Sequence, residues 1–417
     1  MMRPMGRMGP IGQLALSILI LPILLTGCQF SLTEESARLR FREAIDLNAF
    51  EWLREATRKE IQGCIIPAHD GTSLYTPDGV GNYHALWTRD FCFMVEYAGD
   101  LLDPNEIQRA VRYLLAGQRE DGCMPDRVRA DGVPVYSPGG DTNPINDHAK
   151  DNGPFMAKLV ALDVNRRGDL DFFREVEPAL RRGLDFLERS PDGLVWNDPD
   201  NPQSPFGFTD TVAKTGDLLF SSLLYWEACK SLEDLSTQSG AGDTDEYALR
   251  ARAIEQGLQT LWDEESGMFF AASRDCRQID LWGSAYAVYI GIATPEQIER
   301  IAQYLDANIS RMVQHGQVCH LPDGASWDRM LVPVKPGTYQ NGAYWGTGSG
   351  WIIYALHKRS PERAGKMFND LVAYYRRYGI YECVNGEDRK LPHYVASATN
   401  PYGIVRDLLD KAGASRP

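Results

Sequence analysis

The sequence has no Cys-x-x-Cys pair and only seven histidines among its 417 residues. Zinc sites need closely spaced Cys and His ligands, so we expect no metal and no other cofactor. Of the eight cysteines, Cys28 lies near the N-terminus and seven are scattered through the rest of the chain. We expect most of these seven to be buried, with at most two disulfides, whose pairing the sequence leaves open. They are Cys64, Cys92, Cys123, Cys229, Cys276, Cys319 and Cys383.

The chain is also short of positive charge, with 43 Lys and Arg against 57 Asp and Glu and a net charge of −14. An acidic surface repels phosphates, which excludes nucleic acid as a partner and favours neutral or basic ligands. No Pro/Gly/Ser-rich linker divides the chain, and no alternation of strands and helices supports an α/β fold. These absences favour one large helical domain.

The longest apolar run, residues 11–25, is shorter than the roughly 20 residues that span a bilayer. It follows Arg3 and Arg7 and ends in Leu25-Thr26-Gly27-Cys28. This pattern is typical of a bacterial lipoprotein signal, which is cleaved before the acylated cysteine; the alternative is an uncleaved membrane anchor. We predict a signal peptide at 1–27, a lipidated Cys28 with a tether at 28–38, and a single catalytic domain at 39–417.

This signal predicts that the mature protein is anchored by its lipid in the cell envelope. Residue 29 is Gln rather than Asp, which favours the outer membrane in a cell that has two membranes. Without the two arginines of the signal peptide, the net charge of −14 becomes −16. The mature protein would then bind the membrane, its expected partner, through acyl chains on Cys28.

Twelve segments have the 3.6-residue apolar period of amphipathic helices. Asp103-Pro104, Thr294-Pro295 and Ser360-Pro361 each place a capping residue before a proline, which is typical of a helix start. Twelve helices make six antiparallel pairs, and we predict an all-α fold, an (α/α)6 toroid whose polar loops meet at one mouth. The segments are 39–61, 84–102, 104–118, 153–165, 170–189, 218–235, 244–262, 282–292, 295–308, 342–357, 360–378 and 402–412. Only 133–136, 268–271 and 330–334 alternate like strands.

Trp87-Thr88-Arg89-Asp90 lies where a polar loop gives way to a helical pattern. An indole face stacks on a sugar ring, and the Arg–Asp pair supplies donors and acceptors for its hydroxyls. The alternative is a salt bridge at the end of a helix. Further along, Asp151 and Asn152 open another helix, where they could cap it, line a site, or do both.

Three later segments are rich in aromatic, carboxylate and small residues. In 206–217, Asp210 follows two phenylalanines, which can raise the pKa of a carboxyl by desolvation, and Asp217 is its competitor. The segment 339–351 carries four glycines, each costing a helix roughly 1 kcal/mol relative to Ala. In 378–386, Glu382 lies between aromatic residues just after a helix. The candidate binding residues of the middle segment are Tyr339, Asn341, Tyr344 and Trp345.

Together these segments resemble the six-hairpin glycosidases, the superfamily of glucoamylases, trehalases and processing α-glucosidases, over about residues 40–412. The resemblance implies that Arg89 and Asp90 hold the sugar, that Asp210 is the general acid and that Glu382 is the general base. It also implies an inverting reaction, with the two carboxyls roughly 6.5–9.5 Å apart. The chain lacks the Trp-Glu-Glu segment of glucoamylases and the long signatures of trehalases, so the sugar stays open.

The expected activity is hydrolysis that releases a terminal neutral sugar from an oligosaccharide. The oligosaccharide is therefore the expected substrate and binding partner. Two other classes of protein also fit these residues. A polysaccharide lyase on the same toroid would use a Tyr or His base and prefers a basic cleft for its uronates. A glycan-binding lipoprotein would keep the aromatic residues without needing two opposed carboxylates.

Overall fold

The computed structural model describes residues 33–413, and this part of the chain contains thirteen α-helices. Each segment predicted to be helical contains a helix, and the first, 39–61, holds parts of two. The helices are α1 Glu34–Ala44, α2 Leu47–Gly63, α3 Thr88–Ala98, α4 Pro104–Leu115, α5 Asn152–Arg167, α6 Leu170–Asp185, α7 Leu219–Ser239, α8 Thr244–Gly257, α9 Leu281–Ile290, α10 Pro295–Met312, α11 Ser349–His357, α12 Pro361–Tyr378 and α13 Ala396–Gly413.

Six of these helices form a closed inner ring. In chain order α3, α5, α7, α9, α11 and α13 each pack against the next, and α13 packs back against α3. The helices α2, α4, α6, α8, α10 and α12 each precede one of the inner helices in the sequence and pack outside the ring. This arrangement is the (α/α)6 toroid that the sequence predicts.

The inner and outer helices differ in burial because only the inner ones are surrounded. In α3 every residue except Glu96 is buried. The outer helix α4 buries Ile107, Ala110, Val111 and Leu114, which are spaced three or four residues apart and so share one face. The 3.6-residue apolar period in the sequence therefore indicates the outer helices directly, whereas long apolar stretches indicate the inner helices.

The first helix corrects one predicted boundary. Thr33 caps α1, which begins at Glu34 and packs against α12, so residues 34–38 belong to the domain rather than to a tether. Cys28 and the predicted signal peptide lie outside the described residues. Within residues 33–413, no helix has both the length and the apolarity needed to cross a bilayer.

The described residues also form small sheets of two or three short antiparallel strands. The predicted strands near 133–136 and 268–271 are present, whereas 330–334 makes only an isolated bridge at Met330. The strands are β1 Ile65–Pro67, β2 Ser73–Tyr75, β3 Ala85–Trp87, β4 Arg127–Arg129, β5 Pro134–Val135, β6 Gly139–Gly140, β7 Asn143–Pro144, β8 Trp196–Asn197, β9 Gly216–Asp217, β10 Trp262–Asp263, β11 Met268–Phe269, β12 Val313–Gln314, β13 Gln317–Val318, β14 Tyr381–Asn385 and β15 Asp388–Pro392.

The seven cysteines within residues 33–413 are all buried, and none of them is in a disulfide. Burial of most of them was expected from the sequence. In the same part of the chain, no cluster of His, Cys, Asp or Glu is arranged to hold a metal ion. The thiols therefore act as small apolar side chains in the core.

Candidate active site

A cavity of about 400 Å³ opens at the end of the toroid where the inner helices begin. Its lining comes from the segments that precede α3, α5, α7, α11 and α13, as expected for loops that converge on one mouth. The N-termini of these helices carry partial positive charge, which favours carboxylates nearby. Seven of the eleven predicted binding and catalytic residues line this cavity: Trp87, Arg89, Asp90, Asp210, Tyr339, Trp345 and Glu382.

The other four predicted residues lie outside the lining and support it from behind. Asp151 precedes α5 and accepts a hydrogen bond from the backbone N–H of Gly207 at 2.8 Å. The Asn152 amide donates to two backbone carbonyls, and the Asn341 amide bonds the backbone of the loop around it. Tyr344 pairs through its backbone with β14. These residues fix the loops that carry the lining.

Arg89 anchors a buried chain of charges at the base of the cavity. Its guanidinium donates to Asp126 and lies 3.6 Å from Asp151, with only 4% of its own side chain exposed. The second oxygen of Asp126 accepts from Arg127 at 3.0 Å, and Arg127 in turn donates to Asp141 at 2.7 Å. Burial lowers the pKa of Arg89, but the charges of Asp126 and Asp151 outweigh it and raise that pKa overall. Charge pairing is thus what permits two arginines to stay buried here.

Gly207 is required where the loop before α7 crosses Arg89. A Cβ atom at this position would overlap the Arg89 side chain. The backbone N–H of Gly207 also donates a hydrogen bond to the Asp151 carboxylate, which lies 3.6 Å from the Arg89 guanidinium, so backbone and guanidinium approach closely. Glycine therefore allows the loop that carries Asp210 to lie directly against the buried arginine.

Trp87, the residue before α3, forms an aromatic wall. The guanidinium of Arg127 lies 4.4 Å from the centroid of its ring, and the Tyr83 ring meets it edge-on at 5.3 Å. The buried indole N–H forms no hydrogen bond to any residue that the structure describes. Since Trp87 lines the cavity, its flat ring suits a sugar that stacks.

Asp210 follows a single 3₁₀ turn, Gly207–Thr209, and is 8% exposed. One of its oxygens accepts from Gln340 Nε2 at 2.8 Å. Burial raises the pKa of Asp210 to about 7, against the opposing effects of Arg89 and the Gln340 hydrogen bond. A carboxyl with this pKa is partly protonated at neutral pH.

Asp217, the competing carboxyl, lies in β9 and does not line the cavity. One of its oxygens accepts from the Ser273 hydroxyl at 3.0 Å, and its backbone N–H donates to the same oxygen of Ser273. These contacts hold β9 to a neighbouring loop. Of the two carboxyls, the structure brings only Asp210 to the cavity.

Glu382 reaches the cavity from β14 and is 1% exposed. Its Oε1 accepts a hydrogen bond of 2.6 Å from the Tyr83 hydroxyl, and Lys390 Nζ lies 3.5 Å from its Oε2. The pKa of Glu382 is raised above its usual value, because burial outweighs the opposing effects of Lys390 and Tyr83. The carboxylate is therefore buried yet supported in its charged form by two neighbours.

Two tyrosines lie together beside Glu382 in the lining. The hydroxyls of Tyr83 and Tyr339 lie 3.4 Å apart. Burial raises the pKa of both well above the usual value, and the charges of Glu382 and Asp210 raise it further. Both carboxyls are thus close enough to act on the same pair of phenols. Tyr339 has a φ of 46°, a strained conformation of the kind that collects at functional sites.

Asp90 is a third buried carboxyl in the lining, located in the first turn of α3. It accepts a hydrogen bond of 3.0 Å from the Tyr394 hydroxyl. Burial raises the pKa of Asp90 to about 7, with Arg89 acting in the opposite direction. Beside Arg89 and Trp87, it is placed to bind hydroxyl groups of a ligand.

Several lining residues were not selected from the sequence: Tyr83, Arg127, Gln340, Tyr394 and Asp141. Tyr83, Gln340 and Tyr394 lie inside or beside the aromatic-rich segments, so segment position was a usable signal for them. Arg127 and Asp141 lie in β4 and after β6, where no motif marks them. Arg127 reaches the cavity through the pairing of β4 with β3, and Asp141 is held beside it by their ion pair.

Comparison with protein families gives one match within the chain. A family model described as a mannosylglycerate hydrolase MGH1-like glycoside hydrolase domain matches residues 200–391, which include Asp210 and Glu382. No curated protein matches the chain in sequence. The match covers helices α7 to α12 and the two candidate catalytic carboxyls.

Solved structures share the fold at low sequence identity. A mannosylglycerate hydrolase from Thermus thermophilus, in complex with Tris and D-glycerate, has a TM-score of 0.60 at 18% identity, over 85% of this chain and 100% of that one. A rhamnosidase from Klebsiella oxytoca with bound rhamnose has a TM-score of 0.61 at 14% identity, over 86% of this chain and 64% of that one. A metal-independent α-mannosidase of Streptococcus pneumoniae has a TM-score of 0.61 at 12% identity, over 90% of this chain and 97% of that one.

The closed ring of helices, the carboxyl-lined cavity and the matched domain define a glycoside hydrolase of the six-hairpin type. The family model that residues 200–391 match is, more particularly, the mannosylglycerate hydrolase MGH1-like one. Of the three classes open from the sequence, the hydrolase is therefore the one that holds.

Proposed function

We propose that the chain is an inverting glycoside hydrolase that releases a terminal neutral sugar from a small glycoside or oligosaccharide. The observation that carries this proposal is the presence of two buried carboxyls, Asp210 and Glu382, in one cavity but in different surroundings. Asp210 is hydrogen-bonded to a neutral amide, and Glu382 to a phenol beside a lysine. Different surroundings for two carboxyls separate an acid from a base.

Asp210 takes the role of general acid. With its pKa raised to about 7 by burial, it holds a proton at neutral pH and can deliver it to the glycosidic oxygen. Gln340 holds one carboxyl oxygen by its amide, which leaves the other oxygen to face the leaving group. As the bond breaks, the departing alcohol takes this proton and Asp210 becomes a carboxylate.

Glu382 takes the role of general base. Its carboxylate accepts a hydrogen bond of 2.6 Å from the Tyr83 hydroxyl and lies 3.5 Å from the Lys390 ammonium. Both contacts favour the negative charge of the carboxylate. The carboxylate removes a proton from water as that water attacks the anomeric carbon from the face opposite the leaving group. This single displacement inverts the anomeric configuration.

The charges of the lining support a neutral glycon. The cavity is lined by four carboxyls and only two arginines, and both arginines are already paired with carboxylates. A uronate or phosphorylated sugar would add like charge to this cavity at a cost that buried groups cannot screen. The neighbours named above act on mannosides and rhamnosides, which have neutral sugars, and this supports the same class.

A panel of glycosides tests the proposal. We expect the purified domain to hydrolyse at least one substrate with a neutral glycon among mannosides, rhamnosides and glucosides, including mannosylglycerate, with proton NMR detecting the product of opposite anomeric configuration first. The Glu382→Gln variant should lose about 10²–10⁴-fold in kcat. A first product that keeps the substrate's configuration would refute inversion, and turnover that survives Glu382→Gln would refute the assignment of the base.

We also propose that the protein is lipid-anchored in the envelope through Cys28, because a basic start and a 15-residue apolar run precede the Leu-Thr-Gly-Cys sequence. The Cys28→Ser variant should lose labelling by a palmitate analogue and leave the detergent-extracted membrane fraction. Cys64→Ser is a suitable control, since Cys64 is buried in the domain. Labelling that persists in Cys28→Ser would contradict the proposal.

A further inference from the structure

Lys390 lies beside the candidate base without lining the cavity. It is on β15, which pairs with the strand that carries Glu382, and half of its side chain is exposed. Its Nζ is 3.5 Å from Glu382 Oε2 and 3.2 Å from the centroid of the Tyr339 ring. Since the Tyr339 hydroxyl meets Tyr83, which donates to the other oxygen of Glu382, the four side chains form a closed circuit.

The remaining groups around Glu382 mostly oppose its ionisation. Burial is the largest influence, and the negative charge of Asp78 acts in the same direction. Asp90 and the phenols of Tyr83 and Tyr394 also interact electrostatically with the Glu382 carboxyl. Besides Lys390, the titratable groups that face Glu382 on the described elements are Asp78, Asp90, Tyr83, Tyr339, Tyr394 and Cys383, and none of these six supplies a positive charge.

We propose that Lys390 is a positioning residue that keeps Glu382 ionised and oriented for its role as base, and thereby sets the acidic limit of activity. The inference rests on the proposed function, because it assigns a task to Lys390 only if Glu382 activates the water. Two contacts fix the ammonium: the carboxylate oxygen attracts it, and the Tyr339 ring face holds it by a cation–π interaction. The lysine is partly exposed, so salt weakens its influence.

The sign of the effect follows from the charge. An adjacent cation stabilises the carboxylate, so removing the cation raises the pKa of Glu382. A base with a higher pKa is protonated over a wider acidic range, and the acidic limb of the kcat/KM profile then moves to higher pH. Lys390 is not itself one of the lining residues, so KM should change little.

The experiment compares pH profiles of kcat/KM for the wild type, Lys390→Met and Lys390→Arg on the best substrate of the panel. Lys390→Met removes the charge and keeps the length of the side chain, and we expect its acidic limb to move upward by about one pH unit. Lys390→Arg keeps the charge, so its limb should stay with the wild type. Raising the salt from 0.05 to about 1 M should move the wild-type limb toward that of Lys390→Met and leave Lys390→Met unchanged.

An acidic limb at the same pH in Lys390→Met and the wild type would overturn the inference. So would an equal loss of activity at every pH, because that outcome indicates a merely structural role; melting temperatures of both variants check folding. Glu382→Gln is measured in parallel. If Glu382→Gln retains turnover, the proposed function fails; if it abolishes turnover while Lys390→Met leaves the limb in place, only the role of Lys390 fails.

Discussion

Replacing Asp210 with Asn is expected to lower kcat by about 10²–10⁴-fold on substrates with a poor leaving group. The amide keeps the shape of the side chain and can still accept the hydrogen bond from Gln340 at the same position. It cannot deliver a proton to the glycosidic oxygen. Substrates with a good leaving group, such as nitrophenyl glycosides, need this proton less, so their loss of kcat should be smaller. Steady-state rates on both kinds of substrate measure the difference.

Asp90→Asn is the matched control for this variant. Asp90 lines the same cavity and its pKa is also raised to about 7 by burial, so burial and pKa do not distinguish the two carboxyls. Its hydrogen bond from Tyr394 and its place beside Arg89 indicate sugar binding instead. We expect Asp90→Asn to raise KM and to be equally impaired with good and poor leaving groups. If Asp90→Asn and not Asp210→Asn shows the leaving-group dependence, the acid is Asp90.

Asp210→Asn also has a predictable effect on stability. The pKa of Asp210 rises from 3.8 to about 7 on folding, chiefly through burial, so the folded state holds the proton more tightly than the unfolded state. The stability that this proton gives is fully present below pH 3.8 and is lost as the pH rises through 7. Asp210→Asn lacks this titration. Its melting temperature should therefore rise relative to the wild type between about pH 4 and pH 8, and a constant difference over that range would contradict the expected burial.

The sequence predicted the helical part of the fold well because the signal is local. A cap such as Thr294 and a proline after it fix where α10 starts, and the capping box with Gln297 is present. The first hairpin was harder, because Ile45 and Asp46 interrupt α1 and α2 only briefly and the apolar period runs on through the break. Short strands such as β4 were not predictable, since their pairing with β3 is set by the loops that the ring brings together.

Site residues were predictable where a motif marks them, as for Trp87 and Asp210. They were less predictable where the orientation of a side chain decides whether it faces the cavity. Asn341 and Trp345 lie four residues apart in one segment, yet only Trp345 faces the cavity while the Asn341 amide bonds its own loop. Positive φ at Tyr339 turns the chain just before them and rearranges which side chains point inward. Arg127 is beyond any local pattern, because its role arises from a partner 38 positions earlier, Arg89, through the shared carboxylate of Asp126.

Replacing Arg89 with Leu is expected to destabilise the fold by about 3–5 kcal/mol, because it leaves buried carboxylates without their charge partner. Asp126 would keep Arg127, but Asp151 would keep only the N–H of Gly207. Urea unfolding followed by tryptophan fluorescence measures the change. Arg89→Lys should recover part of the stability, since it restores the charge without the forked geometry that reaches two carboxylates.

Arg112→Leu is the control for a cation of similar type outside the site. Arg112 pairs with Glu175 by two hydrogen bonds, but both side chains are about half exposed, so its loss should cost no more than about 1 kcal/mol. If the unfolding free energy of Arg89→Leu lies within about 1 kcal/mol of the wild-type value, Asp126 and Asp151 do not form charged pairs with Arg89 in the folded protein.

Arg89 also links stability to catalysis, which gives the same variant a second readout. Its positive charge opposes the rise in the pKa of Asp210 that burial causes. Without that charge the proton on Asp210 is held more strongly, so the alkaline limb of kcat/KM should move to higher pH in whatever fraction of Arg89→Leu folds. Arg89→Lys should keep the limb near its wild-type position. An alkaline limb that stays in place in both variants would mean that Asp210 does not set it, and the acid would then have to be sought elsewhere in the cavity, first at Asp90.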